Sequence, residues 1–408
     1  MRILRLALVF ALIEIVSPSL AQDPARERLE REANAQAERA DALFKTGQFE
    51  AALKLYEAER VSRKTLGDAR YEALALRGIG CCLTELSLFE PAIEALTSAR
   101  DLDSRREDKG FEGFDNLLIG KARLRSGDPL EAIKAVEAAL PKLAQSIDRD
   151  HSCDAHIVLL TAKLRLGQPS KATSDADKAI ELAEAIHDEK RLADAWLGDG
   201  LVAHGLGDYS LAFERIQDAA SLYRAQDRKP DLGVATRHLA DISQRLGRSN
   251  RAIRRFYEAI DLFRTLNDRG SEADTRLDLA ALLLDHANAP DSLIEATKAR
   301  DLYAEINDES GEIEALVILA QTHPRSKEGT SKSVELITTA LDLSANLHRD
   351  QPAERVRLLL LAASLERRLD NVDRVKALLA EAEKLTADKL IEQSLKNAVN
   401  QAKTRLIK

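Results

Sequence analysis

The chain repeats itself about every 40 residues from near Ala33 to its last residues, and this constrains its fold more than any other feature. The clearest unit is residues 193–219, where Trp196, Gly200, Gly207, Tyr209, Ala212, Ile216 and Ala219 mark the pattern. Trp196 and Gly200 fall on one face of a first helix, because residues four apart are neighbours on a helix. Gly207 is placed to end that helix in the left-handed region, which only glycine enters cheaply. Tyr209 packs under the turn, and Ala212, Ile216 and Ala219 form the inner stripe of a second helix. Stepping along the chain by one repeat takes Ala212 to Ala52, Ala92, Ala132, Ala172, Ala252 and Ser292. Gly207 becomes Gly47, Ser87, Gly127, Gly167, Gly247 and Ala287. A third column holds Asp68, Asp108, Asp148, Asp188, Asp268 and Asp308, with Asp227 one place early. Those aspartates precede the next repeat, where the side chain can cap a helix or close a turn.

Columns that keep register over so many units resemble the tetratricopeptide repeat, in a long form with Leu66-Gly67-Asp68 between units. Trp196 is the only tryptophan, and repeats seven to nine depart furthest from the pattern. The resemblance implies an all-α, right-handed α-solenoid of about nine helix-turn-helix repeats with a C-terminal capping helix. It also implies a concave groove that binds proteins or peptides. A chain of 408 residues would otherwise suggest two or three globular domains. A solenoid is instead one quasi-linear array.

Residues 1–21 read as a signal peptide. Arg2 and Arg5 precede an apolar run interrupted by Glu14, Ser17-Pro18 breaks it, and Ser19-Leu20-Ala21 makes a small-x-Ala cleavage site. The expected location is periplasmic or secreted, in a bacterium. Residues 22–32 form a polar leader, residues 33–387 the solenoid and residues 388–408 the cap. In the cap, Leu390, Ile391, Leu395, Val399 and Ala402 make an amphipathic face. Repeat eight is irregular: His323-Pro324 ends its first helix, and Lys327 to Ser331 reads as a long polar turn.

The net charge of −8 argues against nucleic acid as a partner. Cys81, Cys82 and Cys153 are expected as free thiols. Cys81 and Cys82 diverge around one helix, and Cys153 is two repeats away, beyond the roughly 7 Å limit of a bridge. His151, Cys153 and His156 carry ligand chemistry, but a helix turns them to different sides, so no metal is expected. Gly78-Ile79-Gly80 lies inside a helix and serves close packing. Neither a zinc-protease motif nor a nucleophile elbow occurs, so no cofactor, metal or enzymatic activity is expected.

The resemblance places the inner face of each first helix at repeat positions 2, 5, 9, 12 and 13. The groove residues selected on this basis are Arg77, Cys81, Lys121, Arg125, Arg165, Leu197, Leu201, His204, Arg237, Asp241, Gln244 and Arg245. Position 13 is basic at Lys45, Arg125, Arg165, Arg245, Arg325 and Arg368. That column is either a ladder for an acidic partner or a set of helix-end cations, each worth about 0.3–1 kcal/mol. The leading function is an exported scaffold holding a partner protein or peptide, with self-association a further option. A peptide-responsive sensor and an accessory subunit of a separate enzyme such as a protease are the alternatives.

Overall fold

The structure is a computed structural model that describes residues 24–144, 150–347, 352–386 and 392–407. The signal peptide, Asp148, Leu390 and Ile391 lie outside the described residues. Among those described, the chain is helical throughout, with 19 helices and no strand. It divides into two compact units, Met1–Leu206 and Gly207–Lys408.

In the first unit, helix A and helix B alternate as α1 (Pro24–Lys45), α2 (Phe49–Leu66), α3 (Ala69–Glu85), α4 (Phe89–Arg105), α5 (Lys109–Arg125), α6 (Pro129–Leu143), α7 (Asp150–Arg165), α8 (Pro169–Ala185) and α9 (Glu189–Gly205). The second unit contains α10 (Tyr209–Ala225), α11 (Lys229–Arg245), α12 (Ser249–Thr265), α13 (Arg269–Asp285), α14 (Ala289–Glu305), α15 (Glu309–Thr322), α16 (Lys327–Leu347), α17 (Pro352–Arg368), α18 (Val372–Thr386) and the cap α19 (Gln393–Leu406). Odd-numbered helices up to α17 are A helices. Within each unit each helix packs on the next, and most successive A helices also touch.

The interrepeat aspartates start the helices as capping chemistry requires. Asp68 accepts from Tyr71 N–H, Asp108 from Phe111, Asp188 from Lys190 and Arg191, Asp268 from Ser271 and Asp308 from Gly311. Asp128 and Asp208 do the same for two B helices. Asp227 is different, for it adopts φ 53° in the turn and leaves the cap position to Arg228. Helix ends close by a paired hydrogen-bond motif. After α7, Gly167 N–H donates to Leu164 C=O at 2.9 Å and Gln168 N–H to Lys163 C=O at 3.0 Å, with Gly167 at φ 66°.

The alanine column forms the seam between A and B helices. Ala52, Ala92, Ala132, Ala172, Ala212 and Ala252 are fully buried. Ser292 keeps the same position because its hydroxyl donates to Ala280 C=O at 2.7 Å, so the polar atom is satisfied. Ser333 donates to Ala320 C=O in the equivalent place one hairpin later.

Two segments differ from expectation. The region ahead of Ala33 is helical from Pro24, a residue suited to the first helical turn. Lys327 to Ser331, expected as a turn, is the first turn of α16. The Ser326 hydroxyl accepts from Gly329 N–H at 3.1 Å, so this polar stretch carries a helix cap. At the C-terminus Val399 is buried, and Leu395, Ala402 and Leu406 pack on the last core cluster, closing the apolar end as a cap must. Among the described residues, no helix is long and apolar enough to cross a membrane.

Candidate binding grooves

The A helices carry the candidate residues, and in the first unit their charges are tied to one another. Lys121 on α5 donates to Asp154 on α7 at 2.9 Å, and Arg191 on α9 reaches the same carboxylate at 2.8 Å. Arg125 donates to Glu85 on α3 at 2.6 Å. Arg165 donates to the Leu124 carbonyl near the end of α5 at 2.5 Å, the use a helix C-terminus makes of a cation. Arg245 in the second unit lies 3.6 Å from Asp241, one turn away on the same helix. Position 13 thus has partners within the fold at these three arginines.

Arg77 lines a cleft of the first unit, but its charge is engaged inside the fold. It is 5% exposed, donates to Asp115 at 2.5 Å and to Asp103, and lies over the Phe111 ring at 4.4 Å. The guanidinium joins α3 to α4 and α5 in the interior. Burial pushes Asp115 up to about 7, with Asp103 adding to the effect and Arg77 opposing it. Burial raises Asp103 as well.

Cys81 is half-buried in a 260 Å³ cavity with Phe44, Leu118, Lys121 and Arg125. Burial pushes its thiol up to about 11 although Lys121 pulls the other way, so the thiolate is scarce at neutral pH. Cys82 and Cys153 are buried, and all three cysteines are free. His151 stacks on Phe114, the Cys153 thiol donates to Ala179 C=O at 3.3 Å, and His156 pairs with Asp175 at 2.9 Å. Their side chains therefore turn to three separate partners. A second cleft of 480 Å³ lies between α1, α2, α3 and α5, bordered by Tyr56, Tyr71, Phe111 and Phe114. Leu197, Leu201 and His204 are half-buried on α9.

The largest of these clefts is in the second unit. It has a volume of 670 Å³, and every lining residue comes from α13, α15 or α17, three successive A helices. Its floor is apolar, with Leu277, Ala281, Val317 and Leu361. Asp278, Glu314, Glu354 and Arg357 also line it. Arg237 on α11 donates to Asp278 at 2.7 Å and Asp274 at 3.0 Å, and Tyr303 donates to Asp274 at 2.8 Å. Burial raises the pKa of Glu314, and Asp274, Asp308, Asp278 and Glu354 raise it further. Burial also raises Asp278. Gln244 and Asp241 are half-buried on α11.

Of the residues selected from sequence, Arg237 touches the acidic group of this cleft. Asp274, Glu314 and Glu354 were missed although they stand in one column with Asp154 and Asp194, at position 2. Following that acidic column as the basic one was followed would have found them.

No family profile matches the sequence, and no curated protein matches it. Solved structures do match in fold. A signal-transduction ATPase with a tetratricopeptide repeat sensor from Pyrococcus horikoshii is 15% identical with TM-score 0.66, covering 91% of this chain and 55% of that one. The chain thus spans about half of that ATPase. A Rap protein complexed with competence and sporulation factor is 13% identical with TM-score 0.58, covering 91% of this chain and 99% of that one. Yeast Tom70 is 13% identical with TM-score 0.51, covering 92% and 96%. These similarities show a tetratricopeptide-like fold of paired helical repeats.

Proposed function

We propose that the chain is an exported, non-enzymatic scaffold that holds a polypeptide partner against its A helices. The observation that carries this is the 670 Å³ cleft of the second unit, lined wholly by three successive A helices with an apolar floor and a charged rim. Binding sites combine those properties, and the volume lies within the range of about 300–1,000 Å³ usual for them. The Rap structure, complexed with competence and sporulation factor, supports a bound factor as a use of this fold. Export rests on the charged start, apolar run and small-x-Ala site of residues 1–21.

A sensor is the second reading, favoured by the repeats of the Pyrococcus ATPase, which are described as a sensor. In both readings the groove takes a polypeptide. An acidic partner would meet Lys121, Arg125 and Arg165 on the A helices of the first unit, in competition with their internal partners.

The test is capture from a periplasmic extract by wild type and by Val317→Arg, which sets a guanidinium on the cleft floor. A polypeptide retained by wild type and lost by the variant is expected. Equal retention by both, or no polypeptide with either, would refute the reading.

A further inference from the structure

We propose that the α13–α15–α17 cleft docks a cationic amphipathic peptide, seating an apolar side chain on the floor and a lysine or arginine against Glu314. The inference rests on the scaffold reading and specifies the chemistry of its partner.

Charge complementarity selects the occupant. Asp278, Glu314, Glu354 and Arg357 line the cleft, and Arg237 and Asp274 join them through the ion pairs of Arg237. Arg237 lies between Asp274 and Asp278, and Arg357 pairs with Glu354 on its own helix. Glu314 is left over: among the described residues no cation stands within ion-pair reach of it, and it lines the cleft, partly desolvated by the cleft walls yet open to an incoming group. Partial desolvation, and after it the neighbouring carboxylates, disfavour its ionised form. A cation entering the cleft would relieve that repulsion and gain a charge-assisted hydrogen bond.

The floor sets the second requirement. Ala281, Val317 and Leu361 are half-buried in a space of 670 Å³. Apolar surface left between packed helices is covered favourably by an apolar side chain. An acidic peptide would place like charges together, which costs specificity and affinity. A peptide with both features satisfies floor and rim together.

The experiment uses the full mature chain and two fluorescent synthetic peptides, one of leucine, lysine and glycine, the other with glutamate in place of lysine. Anisotropy titrations at low and at physiological salt give the dissociation constants. Wild type should bind the lysine peptide at least about tenfold more tightly than the glutamate peptide, and the gap should narrow with salt. Glu314→Lys should weaken the lysine peptide by at least about tenfold. Glu314→Gln should weaken it by less, with the melting curve of each variant unchanged. The proposal is overturned if wild type binds neither peptide, binds both equally, or if both variants retain wild-type affinity. Partner capture sensitive to Val317→Arg together with that outcome would leave the scaffold standing without this chemistry. Loss of capture altogether would count against the scaffold itself.

Discussion

Gly167→Ala and Ala287→Gly are reciprocal tests of how the hairpins are closed. Both residues sit in the same turn between an A and a B helix, at φ 66° and φ 58°. Their turns make the same pair of hydrogen bonds: Ala287 N–H to Leu284 C=O and Asn288 N–H to Leu283 C=O, each at 2.9 Å. A Cβ built on Gly167 meets no atom within 4 Å, so packing plays no part. An L-residue in the left-handed region costs about 1–2 kcal/mol. Against this, glycine loses about 0.4–1 kcal/mol more than alanine through its freedom in the unfolded chain. The difference leaves a loss of about 1 kcal/mol for Gly167→Ala and a gain of similar size for Ala287→Gly. Urea unfolding measures both. Trp196, the only tryptophan, reports on the first unit by fluorescence, and circular dichroism follows the whole chain. A gain from Gly167→Ala, or a loss from Ala287→Gly, would refute the reasoning.

Asp115→Asn should change the pH dependence of stability. A carboxyl held at about 7 in the native state keeps a proton that the unfolded chain loses near 4. Its stabilising contribution is therefore complete below about pH 4 and lost as pH rises to about 7. Unfolding of both proteins across that range should show the variant gaining on wild type as pH rises; a constant difference would contradict this. Gly80→Ala should cost about 1–3 kcal/mol, because its Cβ would stand 2.5 Å from Leu96 Cγ in a filled core. An unchanged unfolding midpoint would remove the close-packing argument. Iodoacetamide should modify native Cys81 on the order of a hundredfold more slowly than free cysteine, because its thiol is pushed up to about 11. Denaturation should expose all three thiols, and rapid native labelling would contradict the burial.

The parts legible in the sequence were those whose physics is local. A capping aspartate, a glycine with positive φ and an alanine seam each act within a few residues, so stepping by one repeat exposed them. The turns were less visible where other residues took the left-handed position. Ser87, Glu107, His187, Asp227, Asn267 and Asn307 occupy it at φ between 53° and 61°, and such varied side chains conceal that both kinds of turn close alike. The ion pairs of Arg77 were hidden for a different reason. Its register on α3 suits a groove, but Asp103 and Asp115 come from two other helices, and their convergence is a tertiary fact. The acidic cleft was hidden in the same way: position 2 is acidic in α13, α15 and α17 yet Val234 in α11 and Phe114 in α5.

Site-specific photocrosslinking tests most directly whether the second unit's cleft holds a polypeptide. A photoreactive phenylalanine analogue replaces Val317 on the cleft floor in one variant and Ile294 on α14 in the other. Ile294 is 50% exposed and does not line the cleft. Irradiation of cells producing each variant should give a discrete polypeptide adduct from position 317 and none of the same mass from position 294. The same adduct from both positions, or none from position 317, would contradict the account.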